Sequence, residues 1–215
     1  MNLSSLPLPD FFKTYYPYPH FTPIQEKALT AGLLQGTSLL VCAPTASGKT
    51  LVATMAIVQA LSQGKKALYV VPLKALAHEK FKEYQRLFQE TSYTIGLATG
   101  DLDSDSHYLT KYNVLILTSE KLDSLLRHSI PWLGEVSTIV IDEIHLLNDP
   151  KRGPTLEIII TLLKTTLNPQ FIGLSATIGN PKELAAWLSA TLVQDSWRPV
   201  ELKHGIHCEG KTEFY

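Results

Sequence analysis

Short apolar runs alternate along this chain with longer segments in which apolar residues recur every three or four positions. Leu39 to Cys42, Ala67 to Val71, Thr94 to Ala98, Val114 to Leu117, Thr138 to Ile141 and Phe171 to Leu174 are predicted strands. Lys49 to Ser62, Ala75 to Phe88, Lys121 to His128, Thr155 to Leu167 and Lys182 to Leu188 are predicted helices. The strands are mostly continuous apolar runs, the pattern of strands covered on both sides. The fold class that follows is α/β, a mainly parallel sheet with helices on both faces. Upstream, Pro7, Pro9, Pro17 and Pro19 leave room only for a short helix from Asp10 to Tyr15. Thr22 and Pro23 then open a helix expected to run to about Gln35 and to close at Gly36. Asp101 to His107 is polar and irregular, a surface loop, and beyond Trp197-Arg198-Pro199 the segment Val200 to His207 is expected to form one more strand. With no internal repeat and no linker, the organisation is a lead-in (1–20), one α/β domain (21–197) and a C-terminal segment (198–215).

The first strand runs into a loop of small residues, Ala43-Pro44-Thr45-Ala46-Ser47-Gly48, and then into Lys49-Thr50 at a helix start. Backbone N–H groups of such a loop and of the helix's first turn converge on one point, and the helix dipole makes that point positive. Lys49 adds a full charge, and the hydroxyl of Thr50 is placed to hold Mg²⁺. Ala46, Ser47, Gly48, Lys49 and Thr50 are therefore the candidate ligands of a nucleoside triphosphate. The spacing departs from the usual phosphate-loop pattern only in having Ala43 where a glycine is common.

Ligands of open α/β sheets gather at the carboxyl ends of the strands. Asp142-Glu143-Ile144-His145 follows the apolar run Ile139-Val140-Ile141, so two carboxylates stand at such an end. Asp142 suits a water-mediated hold on Mg²⁺, and Glu143 suits polarisation of the attacking water. His145 fits a side chain linking the nucleotide to motion, or equally a satisfied polar residue. Ser175-Ala176-Thr177 closes the next strand, where Ser175 and Thr177 can bond the 142–145 segment across the sheet end. Upstream, the amide of Gln25 offers the donor and acceptor that N6 and N7 of adenine require; the alternative is an ordinary exposed helix residue. Pro72-Leu73-Lys74, Thr99-Gly100 and Thr118-Ser119-Glu120-Lys121 sit at strand–helix junctions. They suit contacts to a phosphodiester backbone, against the alternative that Thr118 or Ser119 merely caps a helix.

Composition changes this picture little. Across 215 residues the hydrophobic content is 45% and the net charge −1, so nucleic-acid binding must come from a local patch. Two cysteines, Cys42 and Cys208, show neither metal spacing nor a disulfide framework, which suits a reducing compartment, cytoplasm or nucleus. No apolar run approaches membrane-spanning length.

Phe21-Thr22-Pro23-Ile24-Gln25, Ala43-Pro44-Thr45-Ala46-Ser47-Gly48-Lys49-Thr50, Pro72-Leu73-Lys74-Ala75-Leu76, Thr118-Ser119-Glu120-Lys121, Asp142-Glu143-Ile144-His145 and Ser175-Ala176-Thr177, in this order and spacing, resemble superfamily 2 helicases. Together with Arg152-Gly153-Pro154-Thr155-Leu156-Glu157 and Trp197-Arg198-Pro199-Val200, they look most like the superkiller-type branch. The resemblance implies a RecA-like first motor domain using ATP and Mg²⁺. It also implies a partner, single-stranded or partly duplex DNA or RNA, crossing near Lys74, Thr99, Gly100, Thr118 and Arg152. The second motor domain of such proteins, with its Gln-x-x-Gly-Arg-x-x-Arg helix, is not in this sequence. The expectation is a monomeric first half of an ATP-dependent helicase, in which Arg86, Arg127, Arg152 and Arg198 do not reach the γ-phosphate. A nucleotide-responsive scaffold with vestigial catalysis is the alternative from a different class, and intact Lys49, Asp142 and Glu143 speak against it. A small-molecule kinase or GTPase would leave Gln25 and the Asp142–His145 segment unexplained.

Overall fold

The computed structural model of the chain describes residues 3–16, 20–100, 106–128, 131–203, 205–208 and 210–214. Seven strands form one wholly parallel sheet: β1 (Leu39–Cys42), β2 (Lys66–Val71), β3 (Ile95–Ala98), β4 (Val114–Thr118), β5 (Val136–Ile141), β6 (Gln170–Ser175) and β7 (Thr191–Gln194). Their order across the sheet is β3-β4-β2-β5-β6-β1-β7. The helices are α1 (Asp10–Tyr15), α2 (Pro23–Thr30), α3 (Lys49–Ser62), α4 (Lys74–Leu87), α5 (Ser119–Leu126), α6 (Gly153–Thr166) and α7 (Pro181–Leu188).

Alternation along each strand divides the core in two. Leu39 and Val41 of β1 join Tyr69, Val140 and Ile172 in a layer with residues of α1, α2, α3 and α4. Leu40 and Cys42 point the other way, with Leu68, Ile139 and Phe171, onto α5, α6 and α7. The expected α/β class with helices on both faces is what the structure shows. Leu3, Leu6, Leu8 and Phe12, ahead of the first long helix, are buried in the layer that holds α3.

Three stretches differ from the sequence-based expectation. The helix opened by Pro23 stops at Thr30 instead of Gln35, because Gly32 takes the left-handed conformation (φ 94°) and the chain continues as a 3-10 turn, Leu33–Gln35. The strand expected over Val200 to His207 does not form as such; residues 200–203 have no regular structure. An exposed antiparallel hairpin follows, β8 (Gly205–Cys208) with β9 (Lys211–Phe214). The edge strand β7 was not expected at all. Of the predicted 101–107 loop, residues 101–105 lie outside the described residues, as do Pro17 and Pro19, and Ser106–Lys111 is a 3-10 turn.

One contact locks the segment after β5 to α6. The position of a Cβ on Gly153 would lie 2.2 Å from the carbonyl oxygen of Leu147, so only glycine lets the turn and the helix meet. We expect Gly153→Ala to destabilise the chain by about 1–3 kcal/mol, read from the midpoint of urea denaturation, because backbone rather than a flexible side chain must yield.

Candidate nucleotide site

The carboxyl ends of β1, β5 and β6 bring most of the predicted residues to one place. Between β1 and α3 the loop turns through two left-handed residues, Ala46 (φ 62°) and Gly48 (φ 93°). Gly48 is the N-cap of α3, so the dipole of this 14-residue helix points at the loop. A Cβ at Gly48 would fall 2.2 Å from Nε2 of Gln25, because that amide is packed against the loop.

Gln25 is not the exposed helix residue that its position alone suggested; it is 1% exposed. Its Nε2 donates to the carbonyl of Gly48 (3.0 Å), and its Oε1 accepts the N–H of Thr22 (2.9 Å) and, at 3.5 Å, the hydroxyl of Tyr16. Thr22 Oγ1 donates to the carbonyl of Ser47 (2.8 Å). The start of α2 is thus tied to the loop by two hydrogen bonds. Beside this tie lies a cavity of about 460 Å³ lined by Tyr15, Tyr16, Gln25, Gly48, Thr50 and Leu51 among others.

Lys49 Nζ donates to the carbonyls of Ala43 (2.6 Å) and Pro44 (2.8 Å), which folds it over the loop. Burial pushes the lysine's pKa down, while the charges of Glu143 and Asp142 act in the opposite sense. Ser47 Oγ is buried with no hydrogen-bond partner among the described residues, an orphan that a phosphate oxygen would satisfy. Thr50 is half-buried at the first turn of α3.

At the end of β5, Asp142 is oriented on both carboxylate oxygens. Tyr69 OH donates to Oδ2 (2.9 Å) and the N–H of Glu143 to Oδ1 (3.0 Å). Glu143 adopts a left-handed conformation (φ 52°), which starts the 3-10 turn Ile144–Asn148. His145 Nδ1 stands 3.3 Å from Glu143 Oε2, but the two are not aligned as a hydrogen bond. Among the described residues no cluster of three His, Cys, Asp or Glu side chains could cage a metal. The hydroxyl and carboxylates present suit a magnesium ion that keeps water and phosphate as its main ligands.

Ser175 pairs with Cys42 in register, and its hydroxyl is fully buried beside that thiol without an aligned partner. Burial pushes the Cys42 thiol up. Thr177, by contrast, is exposed. Of the residues expected to meet nucleic acid, Lys74 and Gly100 are brought together, with Lys74 Nζ 4.0 Å from where a Cβ on Gly100 would lie. Thr99 is half-buried, and Arg152 lines a small cavity with Ser119, Asp142 and Glu143. Thr118 is buried, and its Oγ1 accepts the N–H of Lys121 (3.3 Å), so its hydroxyl caps α5 and offers no open surface.

Sequence reasoning missed Tyr69. A tyrosine in a fully buried parallel strand must find a partner for its hydroxyl, and that requirement was the available signal. Tyr69 packs edge-on against Tyr84 at 5.7 Å, and the Tyr84 hydroxyl pairs with Thr54 on α3 (3.1 Å).

The pattern of these residues matches a known family model, DEAD/DEAH box helicase, over residues 22–184. The chain belongs to the DEAD/DEAH box helicase family. It is 51% identical to the ATP-dependent DNA helicase Hel308 of Methanococcus vannielii, with 89% of this chain and 26% of that protein covered. Hel308 of Pyrococcus abyssi is 52% identical over 87% of this chain and 26% of its own length. Hel308 of Caldivirga maquilingensis is 48% identical over 100% of this chain and 29% of its own length. The chain therefore spans between a quarter and a third of the length of these three relatives, and 16% of Hel308 of Methanocaldococcus jannaschii.

Tyr69→Phe removes the only side-chain hydrogen bond to Asp142 among the described residues. We expect it to cost about 1 kcal/mol of stability and to lower the Mg²⁺ dependence of nucleotide binding, measured by titrating nucleotide at several Mg²⁺ concentrations.

Proposed function

We propose that this chain is the first motor domain of an ATP-dependent DNA helicase, binding ATP with Mg²⁺ between the phosphate loop and the end of β5. The observation that carries this is the convergence of the Ala46–Thr50 loop, Lys49 and the Asp142–Glu143 pair at adjacent strand ends, within a chain about half identical to Hel308 proteins. ATP supplies the phosphoryl group that is lost to water, and Mg²⁺ neutralises charge on its phosphates. Backbone N–H groups of the loop and Lys49 bind the phosphates; Thr50 and Asp142 hold the ion; Glu143 takes a proton from the attacking water. The cavity lined by Tyr15 and Tyr16 has aromatic surface for the base. Gln25 keeps one N–H beyond its bond to Gly48, and an adenine that displaces the long Tyr16 contact gains the acceptor as well.

Lys74, Thr99, Gly100 and Arg152 position the backbone of single-stranded DNA, and His145, Ser175 and Thr177 couple the nucleotide to it. Residues 198–215 lead towards a second RecA-like domain that closes on this one. The domain works as a monomer in the cytoplasm; among the described residues no helix is long and apolar enough to cross a membrane.

Equilibrium titration with Mg²⁺-ATP tests this assignment. Lys49→Ala should weaken binding by at least about tenfold, since the half-buried ammonium held over the loop, the charge proposed to meet the phosphates, is lost. Wild-type affinity in that variant would sink the site. Glu143→Gln should bind as the wild type yet slow single-turnover hydrolysis, by roughly 10² or more, when joined to the second domain. In the same titration GTP should bind more weakly than ATP, and Gln25→Ala should narrow the difference; equal affinities in the wild type would remove the base-reading role of Gln25.

A further inference from the structure

Two fully buried tyrosines share the core layer that holds α3 and α4, and each hydroxyl leads towards a residue assigned to magnesium. Tyr69 of β2 donates to Asp142 Oδ2 (2.9 Å). Tyr84 of α4 pairs with Thr54 Oγ1 of α3 (3.1 Å), and Thr54 Oγ1 donates to the carbonyl of Thr50 (3.0 Å). A threonine hydroxyl has one proton, here committed to Thr50, so the Tyr84 hydroxyl is the donor to Thr54. The two rings meet edge-on, with centroids 5.7 Å apart and planes at 69°.

Thr50 and Asp142 follow β1 and β5, which are not neighbours, because β6 lies between them. The sheet therefore sets the spacing of these two residues only through an intervening strand. A second tie runs along one face of the sheet, from Asp142 through Tyr69 and Tyr84 to Thr54 and Thr50. Inside a helix a threonine divides between two χ1 rotamers, and a hydroxyl bonded to the carbonyl four residues earlier bends the helix. The proton given by Tyr84 in this buried place holds Thr54 in the rotamer that makes that bond. The first turn of α3, where Thr50 stands, is shaped by it. A phenylalanine at position 84 would keep the ring contact, so packing alone does not call for the oxygen.

We propose that Tyr84 is a positioning residue for the magnesium ligands: with Tyr69 across the ring contact, and through Thr54, it fixes Thr50 relative to Asp142. It touches neither nucleotide nor ion. The proposal rests on the magnesium-nucleotide site assigned above, and the two can fail separately.

Calorimetric titration with ATP, with and without Mg²⁺, gives the factor by which Mg²⁺ raises nucleotide affinity. It is measured for the 215-residue chain and for Tyr84→Phe, Thr54→Val, their double variant, Tyr93→Phe and Asp142→Asn. Tyr93→Phe is the control, because the Tyr93 hydroxyl bonds the far end of α3, at the carbonyl of Leu61 (3.3 Å). Loss of a group that bonds a metal ligand directly costs about tenfold or more in metal affinity, and Tyr84, one step further out, should lower the Mg²⁺ factor by roughly threefold. Thr54→Val should do the same, and the double variant should be no worse than either single one, since both break one link. ATP binding without Mg²⁺ should stay at the wild-type level in Tyr84→Phe and Thr54→Val, and Tyr93→Phe should match wild type in both titrations. If Tyr84→Phe keeps the wild-type factor while Asp142→Asn lowers it, the Tyr84 hydroxyl serves only the core, and the proposal fails with the site intact. An equal loss with and without Mg²⁺, or an equal loss in Tyr93→Phe, would also overturn it, because the effect would then be one of fold stability. If Asp142→Asn leaves the factor unchanged, the magnesium site itself is wrong and the role of Tyr84 falls with it.

Discussion

The nucleotide end of this domain depends on one steric constraint: where a Cβ of residue 48 would be, there is the amide of Gln25. Gly48 can hold its left-handed conformation and receive that amide only because it has no side chain. The same contact makes Gln25 a buried strut, with Oε1 on the Thr22 N–H and Nε2 on the Gly48 carbonyl. The start of α2 and the turn into α3 are therefore one unit. Disturbing either end of the strut changes where the phosphate-facing N–H groups point. On the function proposed above, base recognition and phosphate geometry are linked through this single side chain.

A second unit is built on the parallel sheet. Because all seven strands run the same way, their carboxyl ends lie on one edge, and side chains distant in sequence meet there. Asp142 is fixed by a phenol from the neighbouring strand and by the backbone of Glu143. The 3-10 turn that follows is held against α6 through Gly153, whose N–H donates to the carbonyl of Asp149 (2.8 Å). Movement of the acid pair is thereby tied to movement of α6 and Arg152.

The layout of the sheet was legible because apolar runs such as Leu39–Cys42 and Val114–Thr118 leave no other place to be than between two helix layers. The phosphate loop was legible because few arrangements of strand, small residues and Gly48-Lys49-Thr50 are useful for anything else. What escaped is decided by contacts across the fold. A glycine can end a helix or be passed through, and only the left-handed Gly32 shows that α2 stops at Thr30. β7 is an edge strand with exposed Thr191 and Gln194, so its sequence lacks the continuous apolar run that marked its neighbours. Thr118 had two plausible uses, and its burial gives the hydroxyl to Lys121. Tyr69 announces nothing by spacing; its importance comes from β2 lying next to β5.

The central claim is that this chain holds a complete nucleotide-binding face but only part of what rapid hydrolysis needs. A cation placed on the γ-phosphate as the transition state forms is worth roughly 10³ to 10⁵ in rate, and among the described residues no arginine side chain makes a hydrogen bond or ion pair with the phosphate loop or the Asp142–Glu143 pair. Steady-state ATP turnover should be compared between the 215-residue chain and a longer protein that includes the second motor domain, each with and without single-stranded DNA. The account predicts trace turnover by the chain alone and at least a roughly 10³-fold rise, with stimulation by DNA, in the longer protein. Brisk, DNA-stimulated turnover by the chain alone would contradict it.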